Sequence, residues 1–389
     1  MRLGFTLRRV VINISEIVRR LLDMSLYFTW LLLDPSKFKT IDNKRIKSIL
    51  VVDTGAMGDT YNVLAIINQL LKKYPYLNIY YLTNEKKRKF VKNPKICAIN
   101  KEKAISLIDN KNIDAIIFLT NIRDKELFDK SFYFKALKIP YRVFSDYASV
   151  STLFKQLPLL VTRKVFPTYK TMLEDSISAF EILGFSFDKK IGFYHPPDAE
   201  KFADKFIKNL KDNKKQKIIF IHASCEKVTH ALNEGKVPSS DWPTERWVEV
   251  TNTLLTNYNS KIIFTGTLEE NQVIKEIISK VKYKKRIINS AGKFSIEQIA
   301  SLLKRADLLI SVDTSIDHIG AQVGVPLVVL MFCKPSFCGA HTDFKLDLFH
   351  PEVCTNCRRY SCPEKNNVCM KAITVDEVLK AASKFLDKK

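Results

Sequence analysis

The run from Lys304 to Met331, KRADLLISVDTSIDHIGAQVGVPLVVLM, gathers the residues best suited to hold a charged ligand. An apolar strand ends in a polar turn carrying Asp313, Thr314 and Ser315, which opens into a short helix with His318 on its first turns. Backbone N–H groups and the positive end of the helix dipole at such a turn favour a diphosphate, so the segment points to a nucleotide-activated substrate. A second informative turn, VVDTGAMGDTYNVL, places Gly55, Gly58 and Asp59 between a strand and a helix. On these residues alone Asp59 reads as a helix N-cap; the same carboxylate is also able to take a proton from an attacking hydroxyl. Neither a G-x-x-x-x-G-K-[ST] loop nor a full G-x-G-x-x-G fingerprint is present.

These turns need a scaffold, and the pattern around them supplies one. Ser48 to Asp53, Asn78 to Thr83, Asp114 to Thr120 and Tyr141 to Ser145 read as short strands, with helix-length segments such as Tyr61 to Lys73 between them. A second series follows: Lys217 to His222, Lys261 to Gly266, Arg286 to Asn289, Leu308 to Val312 and Leu327 to Met331. Helices are expected around Glu245 to Tyr258, Leu268 to Lys280 and Ser295 to Lys304. The α/β alternation predicts two doubly wound domains, an amino-terminal one over 41–165 and a carboxyl-terminal one over 201–389, joined by a linker over 166–200. Two such domains facing each other would form a cleft at the carboxyl ends of both sheets.

With 389 residues and 46% hydrophobic content the chain can bury more than one core, which excludes a disordered protein. Its 63 basic against 41 acidic residues give a net charge of +22, a field that attracts anions but names none. Residues 1–40 form an amphipathic segment whose longest uncharged run, Met24 to Leu33, falls far short of the roughly 20 apolar residues that span a bilayer. It suits attachment to an anionic membrane surface or packing on the protein itself; no cleavable signal is evident. A cytoplasmic protein, peripheral on the inner face of the membrane, is expected.

Taken together, VVDTGAMGDTYNVL, SDWPTERWVEVTNTLL, KIIFTGTLEENQVIKEI, the block from Ile288 to Leu330 and a Cys-containing carboxyl end resemble glycosyltransferase family 9, the lipopolysaccharide heptosyltransferases. The resemblance runs in order from about Lys47 onward. It implies a GT-B fold, two Rossmann-like domains, and an inverting transferase with no catalytic cofactor or metal; the sequence has no Asp-x-Asp pair of the kind that holds a metal on a diphosphate. It also implies Asp59 as general base, and Asp313, Thr314, Ser315 and His318 as the donor turn. Thr265, Gly266, Gly292 and Lys293 match its nucleotide-side loops. Where the family usually has a basic residue before the Trp-Pro pair, this chain has Asp241, so Ser224, Lys227, His230 or Lys236 of the preceding loop is expected to meet the phosphates. Cys333 likewise departs from a frequent Gly. ADP-heptose is the implied donor, and a lipopolysaccharide core or related anionic glycolipid the implied acceptor.

The cysteines carry a separate expectation. Cys354, Cys357, Cys362 and Cys369 are spaced C-x₂-C-x₄-C-x₆-C, a cluster that could hold a structural zinc or iron, or pack as reduced thiols. A Cys-bound metal would fit a second reading, an enzyme of the same fold that glycosylates protein hydroxyls. A third, a non-catalytic basic binding protein for nucleic acid, lacks the aromatic residues that would make a stacking platform, so no nucleic-acid partner is expected.

Overall fold

The computed structural model describes residues 41–53, 55, 57–119, 132, 135–136, 139–145, 163–165, 172–188, 191–332, 340, 342–353, 361–362 and 365–387. The amphipathic amino-terminal segment, Cys333, Cys354 and Cys357 lie outside them.

By its own contacts the chain divides into two compact units. The first comprises residues 1–55, 70–168 and 174–187, and the second residues 56–69, 169–173 and 188–389. Thus helix α1 (Met57–Lys73) contributes most of its length, Asp59 included, to the second unit.

The first unit is built on β1 (Ser48–Val52), β2 (Asn78–Leu82), β3 (Ile96–Ile99), β4 (Ala115–Phe118), β5 (Tyr141–Ser145) and β6 (Arg163–Val165). Their spatial order is β3-β2-β1-β4-β5-β6, every pairing parallel. The second unit repeats that plan with β7 (Lys217–His222), β8 (Ser260–Phe264), β9 (Ile287–Asn289), β10 (Leu308–Val312), β11 (Leu327–Leu330) and β12 (Lys345–Leu348) in the order β12-β11-β10-β7-β8-β9. Read from either end, both are doubly wound sheets whose winding reverses at one point, between β1 and β4 in the first and between β7 and β10 in the second. Of the four strands flanking these reversals, SILVV, AIIF and LLISV are buried at every position and β7 at all but Lys217, as strands covered by helices on both faces must be.

Around the second sheet run α5 (Pro197–Leu210), α6 (Glu226–Asn233), α7 (Thr244–Asn257), α8 (Asn271–Lys280), α9 (Ile296–Leu303), α10 (Ser315–Val323), α11 (Val368–Ala372) and α12 (Val375–Leu386); the first unit contains α2 (Glu85–Arg88), α3 (Lys101–Asp109) and most of α4 (Met172–Glu181). The expected strands and helices are present, Tyr141–Ser145, Lys217–His222 and Leu308–Val312 with the expected ends and the others with ends displaced by up to four residues. The stretch after Ser224, read from the sequence as one long loop, instead contains α6, because Val228 and Ala231 recur three apart and bury one face of a helix turn. Tail segments α11 and α12 are fastened to the sheet: Trp242 donates its indole N–H to the Ile373 carbonyl at 3.0 Å, and Lys217 Nζ donates to the Leu386 carbonyl at 2.6 Å.

Candidate active site

The turn after β10 is shaped by a carboxylate that sequence reading did not single out. Asp317 is buried inside the first turn of α10; it accepts the Ser311 hydroxyl on one oxygen and the Thr314 amide, at 3.0 Å, on the other. Burial, and then the neighbouring charge of Asp313, raise its pKa well above the ordinary carboxylate range. Thr314 is the N-cap, in extended conformation, and its hydroxyl accepts from the Ile316 amide at 3.3 Å, completing a capping box with Asp317. The helix therefore begins at Ser315, with Thr314 as its cap. With the Thr314 and Ile316 amides already bonded, the Ser315 amide and hydroxyl have no protein hydrogen bond among the described residues and are available to a ligand. Asp313 is buried beside it, its amide held by the Leu330 carbonyl at 3.2 Å, while Thr314, Ser315 and His318 are partly exposed.

Within the same unit the start of α1 lies against this helix. A Cβ on Gly58 would fall 2.6 Å from Cδ2 and 3.0 Å from Nε2 of His318, so the backbone approaches the imidazole as only glycine allows. One residue on, Asp59 is helical and partly exposed, the third residue of α1 rather than its cap. Farther along α1, Asn62 is buried and bridges two residues of α10: its Nδ2 lies 3.2 Å from His318 Nδ1, and its Oδ1 accepts from Gln322 Nε2 at 2.8 Å.

The loops after β8 and β9 meet one another. Gly292, at φ 69°, donates its amide to the Gly266 carbonyl at 2.9 Å, and Thr265 is buried with its amide on the Ile221 carbonyl. Gly266 is confined by Glu270, whose Oε2 would stand 2.7 Å from an added Cβ and accepts the Thr267 amide at 2.8 Å. Lys293 is exposed. After β7, the Ser224 hydroxyl is buried with no hydrogen-bond partner among the described residues, as is that of Ser239. A buried hydroxyl without a protein partner at a sheet's reversal point is suited to a ligand oxygen.

Lys236 and His230 are exposed at the far end of α6, both paired with Glu234, and the Lys227 side chain lies outside the described residues. Asp241, where the resemblance expects a basic residue, is mostly buried; that burial, with Glu276 adding to it and Lys371 opposing, pushes its pKa up to about 6. Its carbonyl, with that of Pro238, is held by Asn367 Nδ2. Of the four clustered cysteines, Cys369 is buried, and Cys362 is half-buried with its sulfur accepting the Asn367 amide at 3.4 Å. Among the described residues no three metal-ligating side chains come together, and no helix is long and apolar enough to cross a membrane.

Sequence reading found the two turns but missed Asn62, Gln322, Glu270 and Asp317. Asp317 alone had a legible sign, the Thr-x-x-Asp spacing of a capping box.

Among solved structures, glycosyl transferase family 9 from Veillonella parvula DSM 2008 superposes with a TM-score of 0.67 at 19% identity, over 90% of this chain and 99% of that one. E. coli ADP-heptose lps heptosyltransferase II gives 0.62 at 15% identity, over 87% and 98%. The fold is GT-B, that of a transferase built from two Rossmann-like halves. A profile of glycosyltransferase family 9 (heptosyltransferase) matches residues 107–367. A curated relative, the lipopolysaccharide core heptosyltransferase OpsX of Haemophilus influenzae, is 23% identical over 299 residues, 73% of this chain and 78% of its own length. The chain belongs to glycosyltransferase family 9 and is a glycosyltransferase.

Proposed function

We propose that the enzyme transfers heptose from ADP-heptose to a lipopolysaccharide core or related anionic glycolipid, with inversion and without a catalytic metal. Asp59 takes the proton of the acceptor hydroxyl as its oxygen attacks the anomeric carbon; the bond from that carbon to the diphosphate oxygen breaks in the same displacement, and ADP leaves with the electron pair. The charge growing on ADP is met by the Ser315 amide and hydroxyl, the dipole of α10, His318 and the Ser224 hydroxyl. Thr265, Gly266, Gly292 and Lys293 bound the nucleoside end. The reaction runs at the cytoplasmic membrane surface, a reading supported by the net charge of +22 and the amphipathic pattern of the first 40 residues of the sequence.

The observation that carries this reading is the close approach of Gly58 to His318, which sets the Asp59 turn beside the amide-bearing turn of α10. The test is turnover of ADP-heptose against other sugar nucleotides with a heptose-deficient lipopolysaccharide acceptor, in EDTA, with the product's anomeric configuration read by NMR. Asp59→Asn should lower kcat by roughly 10²- to 10⁴-fold, the range for a general base, while leaving donor affinity intact. Full turnover by Asp59→Asn removes the base assignment; turnover confined to another sugar nucleotide removes the donor assignment.

A further inference from the structure

Asn62 occupies a place that the reaction as described does not use. It is a buried amide on α1, and both ends of its side chain are committed to α10. Its Oδ1 is taken by the Gln322 Nε2 donor at 2.8 Å, so the amide presents Nδ2 to His318. An NH₂ group can only donate, and the ring nitrogen facing it, Nδ1 at 3.2 Å, must accept. In a neutral imidazole the proton then resides on Nε2, on the edge that lies against Gly58.

We propose that Asn62 is a positioning residue for the transfer reaction: through Gln322 and His318 it fixes the neutral imidazole with its proton on Nε2, so that His318 offers a donor to the nucleotide diphosphate without having to be charged. The assignment rests on the transferase reading given above. It explains why an amide, and not an apolar residue, is buried at this point of α1: a leucine there would leave His318 Nδ1 and Gln322 Nε2 without partners and the ring free to take either tautomer. Besides His318, the ionisable groups of the two packed elements are Asp59, Tyr61, Lys72 and Lys73 on α1 and Asp317 on α10, with Asp313 just before that helix.

The full-length enzyme labelled with ¹⁵N-histidine reads the tautomer directly, with His318→Gln identifying the resonance. The expected result is a neutral ring protonated on Nε2; a ring protonated on Nδ1 overturns the proposal. In Asn62→Leu the signal should become a tautomer mixture, with a rise in donor KM of about tenfold or more, as for loss of one hydrogen bond to a charged group; unchanged KM and tautomer also overturn it. Asn62→Asp keeps the Gln322 contact and puts an acceptor opposite Nδ1. Its neutral ring should therefore carry the proton on Nδ1, and donor KM should rise as in Asn62→Leu; a proton that stays on Nε2 in this variant also overturns the proposal. A wild type inactive with every sugar nucleotide would remove the transferase reading, while the spectrum would still decide the tautomer.

Discussion

At the scale of single residues, Gly58 joins sequence to chemistry most directly. A methyl group there would press on the far end of a side chain, the His318 ring, rather than on backbone. Gly58→Ala should therefore fold, with stability within about 1 kcal/mol of wild type because alanine also favours the helix. Activity should suffer far more, on the order of a hundredfold in kcat/KM, because the imidazole is displaced by about 1 Å; steady-state kinetics beside a thermal melt separates the two effects. Asp241 makes a prediction of the opposite kind, about stability alone. Its folded pKa is raised from 3.8 to about 6, so its contribution to stability is fully present below 3.8 and is lost as pH rises through about 6, where the folded protein must release a proton that it holds more tightly than the unfolded chain does. Melting temperatures measured from pH 4 to 7 should show that loss, and Asp241→Asn should flatten it; an unchanged slope would mean that another group is responsible. Both residues stood out in the sequence, but their surroundings did not. Gly58 sits in a visible turn motif, whereas its neighbour His318 is 260 positions away, and no local pattern records which ring a glycine makes room for.

At the scale of elements, the turn after β10 shows why strands and turns were legible and the site's wiring was not. An apolar pentapeptide followed by Asp-Thr-Ser announces a buried strand and a helix start on local grounds. Which of the acidic residues serves the backbone depends on burial, and the structure gives that work to Asp317 rather than Asp313. Removing it in Asp317→Ala leaves the buried Ser311 hydroxyl without its acceptor, a cost of about 1–3 kcal/mol, and frees the partly exposed Thr314 amide, which water can reach. A melting temperature within a degree of wild type would show the turn to be held by other contacts. Helix α6 was missed for a related reason: its apolar positions, Val228 and Ala231, are too few to stand out beside the exposed residues around them. The outer strands β3, β6 and β12 escaped notice because they are three or four residues long, and β6 and β12 are also only partly apolar.

At the scale of the whole molecule, the alternation of strands and helices was enough to foresee two doubly wound sheets, because buried parallel strands must be hydrophobic throughout and must be separated by crossover helices. Their common order, with one reversal in each, could not be read from alternation, which is blind to which strand lies beside which. The assignment of a family rested on several blocks in sequence, a signal that no single turn carries.

The attachment of the tail to the second sheet has a consequence for synthesis. Trp242 and Arg246, at the entrance to α7, spend their donors on carbonyls of Lys371 and Ile373, and Tyr258 bonds Asp387, so the middle of the chain waits for partners more than a hundred positions downstream. On the ribosome the first sheet can assemble as soon as its strands emerge, while the second keeps two tryptophans and an open flank uncovered until residues 368–387 have been made. Removing those residues should yield protein that aggregates on expression; a truncated chain that melts cooperatively at the wild-type temperature would show that the second lobe closes without them.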